Sequence, residues 1–203
     1  MSIEIKLSKK PIPYKKAMLF LNKRVEEVKK GGNKELIWIL EHPKTYTAGI
    51  SFKENEIIDQ KIKIIKTNRG GKITLHNSGQ KVLYFVINLN NRKKDIRKLI
   101  SAIEISIIDF LKIFKINAQN GKNNIGIWVN EKKIAAIGIR VSSWVAYHGF
   151  SINISNNLKD YLKIFPCGLD NTKITSVFSE KKIIPTKIEK KLINIFIKNI
   201  DEL

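Results

Sequence analysis

Gly126-Ile127-Trp128-Val129-Asn130-Glu131-Lys132-Lys133-Ile134-Ala135-Ala136-Ile137-Gly138-Ile139-Arg140 reads as two strands folded back on each other at Asn130-Glu131-Lys132. Branched and aromatic residues fill both arms and polar residues the turn, which is the pattern of a hairpin. Successive strand residues face opposite sides, so Lys132 and Lys133 cannot both point into an interior. A lysine held in an apolar segment has its charge disfavoured, and it can take a proton from a thiol. Ala135, Ala136 and Gly138 are small and leave room beside the strand. A neighbouring helix or an acyl chain would fill it.

Downstream, residues 144–154 read as another strand, carrying Tyr147-His148-Gly149-Phe150-Ser151. A short helix or turn over 158–165 leads to Pro166-Cys167-Gly168. Cys167 is the only cysteine, and the flanking proline and glycine place it in a turn. A lone cysteine is usually a small buried hydrophobe. Its position on a loop and the lysine-bearing strand upstream favour a nucleophile instead. The base is then a lysine, or else His76 or His148. After Ser176 the chain reads as loose until Thr186-Lys187-Ile188-Glu189, a capping box. It opens a helix with Ile188, Leu192, Phe196 and Ile200 on one face.

Upstream, residues 2–7 alternate as a strand. Pro11 and Pro13 precede a helix whose stripe is Tyr14, Ala17, Met18, Leu21, Val25 and Val28, stopped at Gly31-Gly32. Residues 36–40 form a buried strand, and 41–49 a polar loop in which His42 reads as locally hydrogen-bonded. A short strand over 62–66 precedes Arg69-Gly70-Gly71. The glycines permit close approach of a ligand to the backbone, or simply a bulge. Arg69 suits a phosphate or carboxylate. The run lacks the ending of a Walker loop and is not a Rossmann fingerprint. Residues 72–76 read as a strand and Asn77-Ser78-Gly79 as a hairpin turn into a strand over 81–89. Asp95 caps a helix with an apolar stripe from Ile96 to Leu111, a short strand follows near Ile116, and 119–124 read as a loop.

The 203 residues suit one domain, and 43% hydrophobic content argues for a globular chain. No apolar run reaches the roughly 18 residues of a membrane span, and the N-terminus lacks a signal-peptide core. A single cysteine excludes an internal disulfide and fits the cytoplasm. The formal net charge of +20 suggests nucleic acid, an acidic protein partner, or a composition rich in Lys, Ile and Asn throughout. The basic residues are scattered along the chain. His42, His76, His148 and Cys167 lack zinc-motif spacing, so no metal is expected.

A thiolate exchanges with a thioester at little free-energy change, and aminolysis of the product to an amide is downhill. That route needs neither ATP nor metal; it does need an activated thiol, backbone N–H donors for the oxyanion and an apolar slot.

Arg69-Gly70-Gly71-x-x-Thr74-x-His76, Gly79-Gln80, Gly126-Ile127-Trp128-Val129, the run from Lys133 to Arg140, His148-Gly149-Phe150-Ser151-Ile152-Asn153, and Pro166-Cys167-Gly168 with Thr175-Ser176 together resemble the lipoyl(octanoyl) transferases. Order and spacing agree from Glu41-His42-Pro43 to Ser176. The resemblance implies an α/β (α+β) fold of the biotinyl/lipoyl ligase-transferase type, with a mixed, largely antiparallel sheet flanked by helices, as a single catalytic domain over 1–203. It implies octanoyl transfer from octanoyl-acyl carrier protein to a lysine of lipoyl domains of 2-oxo acid dehydrogenases and of glycine cleavage H protein, without a cofactor, nucleic acid or membrane. Cys167 would match the thioester nucleophile and Lys133 the lysine that activates it. Arg69, Gly70, Gly71, Lys72, Ile73, Thr74, Leu75 and His76, then Ala136, Ile137 and Gly138, then Gly149, Phe150 and Ser151, would match three segments lining the acyl site. The family usually has Tyr, Gly and Pro where this chain has Leu75, Asn77 and Ser78. Carrier proteins and lipoyl domains are typically acidic, which gives the charge a role in encounter. The rivals are an ATP-dependent lipoate or biotin ligase on the same fold, and a basic nucleic-acid module indifferent to Cys167.

Overall fold

A computed structural model describes residues 2–121, 125–168, 170 and 173–203, and of Cys167 only the backbone. The chain runs β1 (Ile3–Leu7), α1 (Tyr14–Lys29), β2 (Glu35–Leu40), β3 (Thr45–Ala48), β4 (Ile64–Lys66), β5 (Ile73–His76), β6 (Gln80–Asn88), α2 (Ile96–Lys112), β7 (Gln119–Asn120), β8 (Ile127–Val129), β9 (Lys132–Ser142), β10 (Val145–Asn153), α3 (Val177–Lys181) and α4 (Glu189–Ile200). Seven strands pair in the order β1-β2-β6-β10-β9-β8-β7, and β4-β3-β5 form a second sheet. Within the large sheet only β1 and β2 run parallel.

Alternation along β2 and β6 divides the core into two layers. Ile37, Ile39, Leu83, Phe85 and Ile87 face α2 and α4, meeting Leu99, Ile103, Phe110, Leu192 and Phe196. Leu36, Trp38, Leu40, Val82, Tyr84 and Val86 face α1, meeting Ala17, Leu21, Val25 and Val28. Each buried Leu, Ile or Phe contributes about 1.5–3 kcal/mol of transfer free energy, so the two-sided strands and single-striped helices follow from one rule. Asp95 caps α2, its Oδ1 accepting from the Arg97 and Lys98 N–H groups. That cap is worth about 1 kcal/mol. Among the described residues no helix is long and apolar enough to cross a membrane.

Several local expectations are corrected. Asn77-Ser78-Gly79 is not a hairpin turn. β5 pairs with β3 in the small sheet, and the chain crosses there into β6 of the large one. A period of two fixes which residues share a face but not which strand is the partner, and Ile73 and Leu75 fill a separate core with Tyr46, Tyr161 and Ile164. Residues 45–48, read as loop, form the middle strand of that sheet. The strand near Ile116 is displaced to β7, and residues 122–124 of the loop after it lie outside the described residues. Residues 177–181, read as loose, are helical, with Ser176 Oγ accepting from Ser179 N–H. The capping box does not form. Lys187 has φ +54, Ile188 is the N-cap without a side-chain bond, and the Glu189 carboxylate pairs with Lys81 Nζ at 2.8 Å instead.

Candidate active site

β9 sorts the two adjacent lysines: Lys132 is exposed, whereas Lys133 is buried. Lys133 Nζ donates to the Ile125 carbonyl at 2.7 Å and lies 5.5 Å from the centre of the Trp128 ring. Its main chain is fastened to the segment after the cysteine turn. Lys133 N–H donates to Lys173 O (2.9 Å), and Thr175 N–H donates to Lys133 O (3.0 Å). Gly126, at φ +134, makes room for the side chain. A Cβ there would press on Lys133 Cε, with Nζ at 2.9 Å and Ala135 O at 2.7 Å. Gly126→Ala is therefore expected to displace Lys133 from Ile125 and to lower stability by about 1–3 kcal/mol. Urea unfolding checks this; an unshifted midpoint would mean the cradle is not tight.

The backbone of Cys167 lies in a 3-10 turn, Pro166–Gly168. Its side chain lies outside the described residues. The turn is held at its start by Phe165 N–H donating to Glu56 O (2.8 Å). Pro166 and Lys133 line the same narrow cavity, of about 10 Å³, with Thr74, Ala136, Ser151, Tyr161 and Ile174 among its walls. Thr74, Ala136 and Ser151 also line a second cavity of about 50 Å³, which continues past Gly138 and Gly149 to Tyr14, Tyr84 and His148. A third, more open cavity of about 310 Å³ shares Gly71, Lys72, Ile137 and Gly138 with the second. The second cavity has room for only a few water-sized groups as it stands, so a longer guest must move its walls.

The three glycine-bearing segments converge, but not residue for residue. Thr74 and His76 line the second cavity, whereas Ile73 and Leu75 point the other way into the small-sheet core. Gly70 borders only the third cavity of these two. Phe150 borders the second cavity, yet its ring packs against Phe196 at 5.7 Å between centres. Gly149 lets β10 lie against β6, because a Cβ there would collide with Leu83 O. Arg69, read as suited to a phosphate or carboxylate, borders the second cavity, while its Nη1 donates to Gly70 O (3.0 Å) and its Nη2 to Thr47 O (2.7 Å) and Oγ1 (2.9 Å). It braces the glycine turn.

The departures from the usual motif sit away from the cavities. Leu75 is core, Asn77 Nδ2 donates to Asn157 O (3.0 Å) and Asp160 Oδ2 (3.1 Å), and Ser78 is exposed. Motif residues to which the sequence assigned no role gather beneath the site. Gln80 Nε2 donates to Asn153 Oδ1 (2.9 Å) and Tyr161 OH (3.0 Å), and Asn153 Nδ2 donates to Thr175 O (3.0 Å). Buried amides of this kind must find partners, but no spacing rule announces which.

All three histidines are buried, and burial is the main reason each titrates low. His42 is lowered to about 4. His76 is lowered to about 3, with His42 and Arg69 adding to the effect, and His148 to about 3, helped by Arg69 and Arg140. His42 is not locally bonded. Nδ1 donates to Ile12 O (2.6 Å), and Nε2 accepts from Tyr84 OH (2.9 Å). His76 Nδ1 donates to Gln80 Oε1 (2.7 Å) and its ring stacks on Tyr14. His148 sits at φ +71, and its Nε2 donates to Asn68 Oδ1 (2.7 Å). Neutral imidazoles with such low affinity for protons make poor bases. Neither His76 nor His148 borders the cavity that Lys133 shares with Pro166.

Residues 13–197 match the lipoyl protein ligase A/B catalytic domain. An octanoyltransferase of Wolbachia sp. subsp. Brugia malayi is 40% identical over 86% of this chain and 88% of its own length. One from Ehrlichia chaffeensis is 42% identical over 86% and 85%. In fold the chain is similar to a structure from a study of a bi-partite lipoate protein ligase and its E2 lipoyl domain from Thermoplasma acidophilum. The TM-score is 0.74 at 16% identity, over 99% of this chain and 84% of that one. The chain belongs to the lipoyl protein ligase A/B catalytic domain family.

Proposed function

We propose that this chain, acting as one cytoplasmic catalytic domain, moves an octanoyl group from octanoyl-acyl carrier protein to a lysine of lipoyl-accepting domains through a thioester on Cys167. Octanoyl transfer in protein lipoylation follows from its family and from relatives at 40% and 42% identity. The cavity common to Lys133 and Pro166 carries the thioester route, because it brings a buried amine to the turn that bears the only cysteine.

In the first half-reaction Lys133 takes the Cys167 proton and the sulfur attacks the thioester carbonyl. The C–S bond to the carrier breaks, and the proton leaves with the carrier thiolate. In the second, the acceptor amine attacks the new thioester. The C–N bond forms, the C–S bond to Cys167 breaks, and Lys133 relays the amine proton back to sulfur. The second cavity, with its small Ala136, Gly138 and Gly149, would take the acyl chain once its walls move. Acceptors of the E2 lipoyl-domain kind fit an acidic surface approaching a chain of net charge +20.

The test is intact mass after mixing the protein with octanoyl-acyl carrier protein, without ATP. A gain of one octanoyl group, released by hydroxylamine, is expected. No adduct on folded protein, together with activity that requires ATP and free octanoate or lipoate, would replace this reading by ligase chemistry.

A further inference from the structure

We infer that Lys72 is a second cation of the cysteine turn, positioning Pro166–Gly168 and stabilising negative charge on the Cys167 sulfur. The inference rests on the reading of Cys167 as nucleophile.

Lys72 enters the site just before β5 and lies across the far end of the turn. A Cβ on Gly168 would collide with Lys72 Nζ, with Cδ at 3.2 Å and Cε at 3.3 Å. Gly168 has φ +70, so glycine serves both the turn and the lysine's path over it. The ammonium is anchored on its other side by Glu56, whose Oε1 lies 3.1 Å from Nζ. Glu56 is buried, its Oε2 accepts from Ile73 N–H at 3.3 Å, and its carbonyl accepts from Phe165 N–H at 2.8 Å. One residue thus fixes the lysine and the chain that enters the turn.

The placement brings cations to the turn from two elements. Lys133 reaches the cavity beside Pro166 from β9, and Lys72 covers Gly168 from the segment before β5. Glu56 is the acidic group paired with Lys72, and Asp170 and Lys173 follow the turn in sequence. Two lysines against one buried carboxylate favour a thiolate at the residue between Pro166 and Gly168. Lys72 is partly exposed, so its effect is weaker than that of a fully buried ion. Lining an acyl slot needs no charge at this position; the contact with Gly168 gives the charge a use.

The experiment is alkylation of Cys167 by iodoacetamide as a function of pH, on full-length wild type, Lys72→Met, Lys72→Arg and Lys133→Met, with a urea midpoint for each. Lys72→Met keeps the stem's packing and removes the charge. Expected is a half-reaction pH moved upward and alkylation at pH 7 slowed about three- to tenfold, with Lys72→Arg restoring most of the rate. An unmoved profile in Lys72→Met, with or without a lower urea midpoint, would reduce Lys72 to packing and overturn the inference. If Lys133→Met still shifts the profile in that case, the Cys167 reading stands without Lys72. If alkylated wild type still transfers octanoyl groups, the nucleophile reading itself fails.

Discussion

Cys167→Ser is expected to fold normally and to transfer octanoyl groups roughly 10³-fold or more slowly than wild type, with no adduct that hydroxylamine releases. The change replaces one atom, in a turn whose start is held by the Phe165-to-Glu56 backbone bond, so the scaffold survives. Chemistry suffers at both steps. A serine hydroxyl is far less acidic than a thiol, so the amine that activates sulfur leaves it protonated. Any oxyester that does form resists attack by an amine, because an alkoxide is a poor leaving group beside a thiolate. Steady-state transfer from octanoyl-acyl carrier protein to a purified lipoyl domain, with circular dichroism as the folding control, reads the result. Near-wild-type transfer would remove the covalent intermediate from the mechanism.

Stability should fall steeply as the solution is acidified below about pH 6. His42, His76 and His148 titrate in the folded protein near 4, 3 and 3, below the ordinary 6.5. Their folded affinities for protons are depressed, so between pH 6.5 and about 3 the unfolded chain binds protons that the folded one refuses. Stability from these groups is fully present above 6.5 and is lost as pH drops through that window. Each histidine contributes a slope of up to about 1.4 kcal/mol per pH unit, and the three together up to about 4. Urea midpoints at pH 7, 6, 5 and 4 measure the effect. His148→Gln should flatten part of the slope, and a pH-independent midpoint from 6 to 4 would show that the imidazoles are not held neutral.

The sequence spoke clearly where one face had to be buried. The stripes of α1, α2 and α4 and the runs of β2 and β6 were legible because burial imposes a period on residue type. Strand partners were not: Ile73 and Leu75 alternate equally well in a hairpin or in a second sheet, and only the core around Tyr46 and Tyr161 decides. Capping was legible at Asp95, which bonds the N–H groups of Arg97 and Lys98, and misleading at Thr186, because Glu189 has a better partner in Lys81. At the site, the motif residues came together around cavities shared by β5, β9, β10 and the cysteine turn. Which side each faced required the fold, as Ile73 and Leu75, turned away from Thr74 and His76, illustrate. Tyr14 and Tyr84 carried no chemical signature, since a helix stripe and a sheet face look alike before packing, and Gln80 and Asn153 stood in the motifs without their mutual hydrogen bond being legible.

For the proton relay proposed for Lys133, the partner of its side chain has a consequence. Its Nζ rests on a backbone carbonyl, and no carboxylate pairs with it among the described residues. A carboxylate would grip the ammonium and release the amine, so the side chain would change its hold each time a proton came or went. A carbonyl accepts from either form, because –NH3⁺ and –NH2 both have a hydrogen to give. The Ile125 oxygen can therefore act as a pivot that stays engaged through the whole catalytic cycle. In the proposed relay one N–H remains pointed at the Ile125 carbonyl, and the lone pair, when it appears, is left for the cavity beside Pro166.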